Sequence, residues 1–302
     1  MDGQLSLARD ALLDFRVRGD ADLSLANGLL EPGGRRAGGQ LDVDGRIDGT
    51  LAAPAISGVA TLRNGDLQDY TLGLHLMAIA ATLEARKDLL TLTTFSAKAG
   101  TGTIDASGTI GLLQPGLPVA LRLTAHDAQP ISSHLITARL DADLRLDGAW
   151  EEGLRLSGRA QVSRAEITIP NALPAAVATL DVRRPGAKPV VAATAERPLA
   201  IDVTVSAPRA VFVRGRGLDA ELGGELHWGG TRARPRIGGG FELRNGRFNL
   251  AGKTLEFRSG LVSFTGEGAA RQFDPTLSFV ASNTSAGVTA TLKVSGYADM
   301  PT

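Results

Sequence analysis

Two carboxylate pairs are the first residues in this chain that could do chemistry: Asp42 with Asp44, and Asp141 with Asp143. Carboxylates this close can trade a proton in acid–base work or share a Ca²⁺ ion. Each pair sits two residues apart in a segment whose alternate positions are apolar. Leu41, Val43, Gly45 and Ile47 flank the first pair, and Leu140, Ala142, Leu144 and Leu146 the second. Period two puts each pair on one face of a strand, and the apolar partners make that face the solvated one. The histidines His75, His126, His134 and His227 lack the HExxH spacing of a metal site, and there is no Gly-x-Ser-x-Gly elbow. There are no cysteines, so neither a disulfide framework nor thiolate metal ligation is available. The run Gly215-x-Gly217-x-x-Ala220 resembles a dinucleotide fingerprint only on paper. That chemistry needs a helix N-terminus behind the glycines, and here Gly223-Gly224 and an alternating strand follow. Arg232, Arg234 and Arg236 form a small basic loop, with Arg244 and Arg247 expected as cross-strand neighbours. Such guanidinium groups can meet lipid phosphates, but a solvated loop is the preferred reading. No enzyme, metal or cofactor is expected.

What remains is apolar patterning. The 302 residues are 43% hydrophobic and 21% charged, with a net charge of zero. That balance argues against a nucleic-acid surface. No apolar run is long enough to span a membrane as a helix, and the N-terminus does not read as a signal peptide. One unit recurs. Gly49-Thr50, Pro54-x-Ile56-x-Gly58 and Leu62-Arg63-Asn64-Gly65 reappear 181 residues later as Gly230-Thr231, Pro235-x-Ile237-x-Gly239 and Leu243-Arg244-Asn245-Gly246. A weaker copy lies 100 residues after the first, with Gly158 matching Gly58 and Ile167 matching Leu67. Asn-Gly between apolar runs predicts a hairpin at each strong copy. Gly296 to Pro301 starts the unit again, so the chain reads as a piece of a longer protein.

Along the chain, Glu31 to Gln40 reads as a Gly-rich loop. Leu5 to Phe15 fits strand or helix, Met77 to Arg86 fits a strand better than a helix, and Gln129 to Thr137 could hold a short helix. Arg183 to Pro189 is the clearest linker-like break. The division that results is a set of N-terminal and middle β repeats over 1–182 and a C-terminal β segment over 190–302. About two dozen short strands are expected. Units that contact mainly their neighbours build an elongated body. With almost no helix to cover it, the apolar face must fold on itself or line a groove. The last third is the most aromatic, holding seven of the nine phenylalanines. The groove candidates are Phe212, Trp228, Phe241, Leu243, Phe248, Leu250, Leu255, Phe257, Val262, Phe264, Leu277 and Phe279.

Residues 207–302 resemble the C-terminal region of TamB, in the AsmA-like superfamily. The resemblance rests on Pro208-x-x-Val211-Phe212-Val213-Arg214-Gly215-Arg216-Gly217-Leu218-Asp219-Ala220-Glu221-Leu222-Gly223-Gly224, followed by Gly230-Thr231, Pro235, Gly239, Arg244-Asn245-Gly246, Phe248 and Gly252-Lys253. Leu255-x-Phe257-x-x-Gly260-x-Val262-x-Phe264 and Asp274-Pro275-x-Leu277 complete it. Residues 41–110 resemble an upstream repeat of the same family. The resemblance implies an all-β, curled antiparallel sheet with a hydrophobic groove, a β-taco. It also implies an inner-membrane-anchored protein of a diderm bacterium that reaches across the periplasm and carries phospholipid between the two membranes. A second role it implies is outer-membrane protein assembly with a TamA-like barrel. A scaffold of that kind would use strand edges rather than the groove.

Overall fold

The computed structural model describes residues 12–50, 53–133, 135–170, 199–231, 234–250, 252–265, 275–285, 287–298, 300 and 302. They form one fifteen-stranded sheet in which the strands lie in chain order. The first nine are β1 (Leu12–Asp22), β2 (Arg35–Thr50), β3 (Pro54–Asp69), β4 (Leu74–Lys87), β5 (Leu89–Ala99), β6 (Gly102–Gly111), β7 (Pro118–Ser132), β8 (Ile136–Ala149) and β9 (Gly153–Thr168). The last six are β10 (Leu199–Gly215), β11 (Leu218–Gly230), β12 (Pro235–Leu250), β13 (Lys253–Thr265), β14 (Thr276–Ser285) and β15 (Val288–Tyr297). Among the described residues, helical turns occur only over 23–33. At roughly 4.8 Å between neighbouring strands, fifteen strands make a body about 70 Å long.

Every neighbouring pair is antiparallel except one. β9 and β10 run parallel, from Leu154 opposite Leu199 to Thr168 opposite Arg214. Two meanders therefore meet at a parallel seam. The linker-like break expected at Arg183 to Pro189 falls between them and lies outside the described residues. So does most of the segment Leu5 to Phe15.

The strands are longer and fewer than the turn signals suggest. The two Asn-Gly pairs are not hairpins. Asn64-Gly65 sits inside β3, and Asn245-Gly246 inside β12. Each marks a β-bulge. The β3–β4 register slips between Leu62 and Gly65, with Asn64 at φ 49°, and the β11–β12 register slips at Leu222, leaving Arg244 extra. Asn accepts a left-handed backbone as readily in a bulge as in a turn. Similar slips occur at Gly38/Gln40 in β2, Ala125/Ala128 in β7, Ala207/Val211 in β10 and Phe257/Ser259 in β13. Neighbouring slips line up across the sheet. Bulges bend a strand and increase its twist, so their alignment forms a crease along which the whole sheet folds into a trough.

Glycines in the left-handed half of φ space add the second bend. Gly58, Gly158 and Gly239 hold the same place in their units, with φ of 152°, 136° and 106°. A Cβ at Gly158 would lie 2.2 Å from the Asp143 carbonyl oxygen, so a side chain there would force β9 away from β8. The short connections are built alike. In the first two complete copies, Thr50 and Ala53, then Thr231 and Arg234, exchange paired backbone hydrogen bonds.

Two further expectations change. The Gly-rich stretch up to Gln40 is not a loop after Gly34, because Arg35 already begins β2 and Gly39 is a bulge at φ 122°. Gln129 to Ser132 and Ile136 onward are strand rather than helix.

Candidate functional site: an apolar trough

Residues paired across neighbouring strands share a face. Reading the registers from pair to pair gives an unbroken lateral row. It runs through Ala21, Leu41, Leu62, Ala81, Phe95 and Ala106. It continues through Leu123, Leu144, Gly158, Val203, Trp228 and Ile237. The row crosses twelve strands, including the parallel seam, without one charged or polar side chain. A second row parallels it, from Ala97 through Ile104, Ala125, Ala142 and Ala160 to Val205, then Leu226, Gly239 and Phe264.

This face is only half closed. Among the described residues no large side chain is fully buried. Trp228 is 40% exposed although its register places it on the apolar face, and Leu250, two residues beyond Phe248 on the same face, pairs with Lys253 and is 49% exposed. A compact core of this composition would bury several leucines and phenylalanines completely. Among the described residues no second layer closes over this face, and the apolar side chains line a groove.

Eleven of the twelve sequence-derived groove residues share this face. Phe241 pairs with Val262, and Val262 with Leu277. Leu243 pairs with Leu222, and Phe248 pairs with Leu255. Phe257 pairs with the buried Ala281, while Phe264 pairs with Gly239. Phe279 pairs with Gly260, whose missing side chain makes room for the ring. A Cβ there would stand 2.4 Å from Phe279 Cδ1 and Cε1. The ring also meets Phe257 edge-on, with centroids 5.5 Å apart. Offset and edge-on aromatic pairs are favoured by their quadrupoles.

Phe212 is the exception. It pairs with Glu166 on one side and Glu221 on the other, so it lies on the polar face. Its neighbour Val211 takes the apolar side and is 6% exposed. Strand alternation permits only one of the two to face the groove. The Phe212 ring lies against the guanidinium groups of Arg164 and Arg214, at 4.8 and 5.1 Å. It borders a hollow of about 600 Å³ with Asp219, Glu221, Arg247 and Glu256.

The carboxylate pairs lie on that same polar face, as part of cross-strand ladders. Asp143 accepts two hydrogen bonds from Arg122, at 3.0 and 2.7 Å, and Asp44 accepts from Arg18. The arginine hydrogen bonds hold the carboxyls of Asp143, Asp44 and Glu166 below the usual range. A general acid needs the opposite shift. His75 contacts Asp66 at 2.9 Å, and His227 contacts Asp202 at 3.6 Å. No cluster of three or more His, Cys, Asp or Glu that could hold a metal occurs among the described residues. Arg244 and Arg247 are not cross-strand neighbours. They share β12 and pair with Glu242 and Asp219. Arg232 and His134 lie outside the described residues.

The residues that sequence reasoning left out are the small ones. Ala97, Ala99, Ala125 and Ala128 are 0 to 2% exposed and pack with Ile104 beneath β4 to β7. Their signal was present as alternation at Ala97/Ala99, but alanine alternation is weaker than that of leucine or phenylalanine.

With the trough described, the comparisons add the family. A model of the TamB C-terminal domain matches residues 93–302, more than two thirds of the chain. This chain belongs to the TamB C-terminal domain family. The match reaches well upstream of residue 207, where the motif resemblance is densest, and takes in the middle strands β6 to β9. TamB membership places the chain in a TamB-like role in the translocation and assembly module, an envelope-associated, periplasmic setting with membranes and TamA as associates. The domain is a structural and transport module rather than a known enzyme family. No helix among the described residues is long and apolar enough to cross a membrane. No curated protein matches the chain.

Proposed function

We propose that this chain is part of a periplasm-spanning, inner-membrane-anchored TamB protein that carries phospholipids between the inner and outer membranes, with the acyl tails lying in the trough. The observation that carries this reading is the charge-free row of twelve residues on a half-closed face. Each methylene taken from water contributes about 0.8 kcal/mol, so eight covered methylenes of one tail contribute about 6 kcal/mol without any head-group contact. Among the described residues the apolar rows continue across the parallel seam between β9 and β10, which supports the division into segments 1–182 and 190–302. Eleven of the named groove residues serve as tail contacts, and Phe212 does not.

The test is lipid extraction and native mass spectrometry of the gently purified chain, alongside Phe257→Asp and Phe264→Asp. A carboxylate on the groove face repels acyl tails, because an unpaired charge in an apolar site is costly. Co-purifying phospholipid in the parent chain, and its loss in both variants, is the expected result. A lipid-free parent chain overturns the conduit.

A second reading has its own observation. Among the described residues β1 and β15 are the end strands of the sheet, and beyond β15 only Thr302 pairs, with Ser295. Such edges can pair with a client strand during outer-membrane protein assembly with a TamA-like partner. Crosslinks of clients to β15, with none to the groove, favour this scaffold role.

A further inference from the structure

The trough is not uniform along its length. β5 and β6 are short, and their connecting turn stops before the ends of β4 and β7. Beyond that turn β4 reaches over and pairs with β7, Leu74 opposite Ile131, and the Ser132 N–H donates to the Gly73 carbonyl at 2.9 Å. Two strands that are three places apart in the sheet thus touch, and the four strands close into a ring at that end. The ring is filled. Ala99 and Ala128 are fully covered, Ala125 is 2% exposed, and Leu76, Phe95 and Leu123 pack against them. There is no slack in the turn. A Cβ on Gly102 would stand 2.1 Å from the Asp127 carbonyl oxygen, and one on Gly100 would stand 2.8 Å from Gln129 Cβ. Asp69 secures the start of β4. Its carboxylate accepts from the N–H groups of Thr71 and Leu72 at 3.0 Å and from Arg35 at 2.9 Å.

From this we infer that β4 to β7 form a neck that divides the trough, so that acyl chains reside in the aromatic half beyond β8 and cannot occupy the closed end of the neck. Alanine is what makes the neck possible, because only small side chains let the curled walls meet without leaving a void. On the far side of β8 the same face carries Phe241, Phe248, Phe257, Phe264 and Phe279, all half-buried. Phe241 and Phe279 pack against the buried Ala207, Val211 and Leu222, but among the described residues no strand pairing closes over that half as β4 closes on β7. In the neck a tail finds side chains already in van der Waals contact with one another. The half of each neck strand nearer Leu90, Ile110 and Val119 stays outside the ring. Passage along the trough, if it continues past the neck, is confined to that half.

This inference rests on the conduit reading, and one experiment separates the two. A photoreactive phenylalanine analogue replaces Phe264, Phe257 or Phe95 in the full chain, with Leu123 as a second neck position. All four lie on the apolar face, and three of the substitutions nearly conserve shape. Each protein is irradiated with vesicles of phosphatidylethanolamine and phosphatidylglycerol, and the lipid adduct is measured by mass spectrometry. Adducts at Phe264 and Phe257 that exceed those at Phe95 and Leu123 by about tenfold, the ratio set by losing the burial of two methylenes, support the neck. Equal adducts at all four positions overturn the neck and leave the conduit standing. No adduct at any position overturns both.

Discussion

The ring of β4 to β7 and the open wall of β12 to β14 solve one problem in opposite ways. Both must deal with an apolar face that no helix among the described residues covers. The first closes on itself, and its floor residues Ala99 and Ala128 lose all contact with solvent. In the second no strand pairs across the face among the described residues, and its phenylalanines stay half-buried even where Phe241 and Phe279 pack on the buried Val211 and Leu222. The difference lies in side-chain volume. Alanine lets β4 and β7 meet, whereas no such pairing spans the row of phenylalanines among the described residues. Packing to interior density leaves no place for a ligand, whereas half-covered aromatic rings are a standing demand for an apolar occupant. One sheet, with one alternation rule, thus yields both a structural pin and the wall proposed to hold acyl tails.

The comparison breaks most readily at Gly102. Its conformation is not left-handed, but an added methyl would collide with the Asp127 carbonyl oxygen at 2.1 Å. Gly102→Ala is expected to cost about 3 kcal/mol, the upper end for overpacking a tight site. Gly238, in β12, has nothing within 4 Å of its absent side chain. Gly238→Ala is expected to stay within about 0.5 kcal/mol of the parent, as for surface substitutions. Denaturant midpoints of the two variants measure the contrast. Similar midpoints would mean that the ring is no tighter than the wall.

A smaller effect concerns the latch on the ring. Hydrogen bonding from Arg35, then from the backbone of Leu72 and the side chain of Thr71, holds the Asp69 carboxyl at about 2, against 3.8 for a free aspartate. A folded value below the unfolded one contributes stability that is complete above about pH 4 and is lost as pH falls toward 2. The Asp69→Asn variant should lose that acid-dependent part. The check is the denaturant midpoint followed from pH 5 to pH 2. The parent should fall more steeply than the variant, and parallel curves would remove Asp69 from any role in closing β4 onto β7.

How much of this contrast the sequence disclosed depends on side-chain size. The wall was legible, since Phe241, Phe257, Phe264 and Phe279 alternate with polar residues and stand out by type. So was the repeat, because a glycine with positive φ and a proline at fixed spacing have few other uses. The ring was hidden. Alanine occurs in every kind of element, and closure of β4 on β7 depends on the relative lengths of four strands, which no local pattern encodes. The Asn-Gly pairs misled for a related reason. They fix no turn type: Asn64 takes a left-handed backbone within its bulge, Asn245 does not, and both bulges lie inside long strands. Phe212 misled because hydrophobicity alone assigns no face. In Val211-Phe212-Val213 three apolar residues run together, and only the register with Leu222 and Glu221 decides which of them turns inward.

Phe212 also supplies the mildest test of the wall. Its ring lies between Arg164 and Arg214 on the polar side, where each cation–π contact is worth about 0.5–1 kcal/mol when exposed. Phe212→Leu removes the ring and keeps an apolar side chain. Stability should fall by about 1 kcal/mol or less, since an exposed ion pair such as Arg164–Glu166 persists and adds little of its own. Lipid adducts formed by a probe at Phe264 should be unchanged, because the two side chains stand on opposite faces of the sheet. The pair of readings matters more than either alone. If Phe212→Leu lowered the adduct yield while leaving stability intact, the polar face would have to be in contact with lipid, and the trough would no longer be the sole apolar path along the sheet.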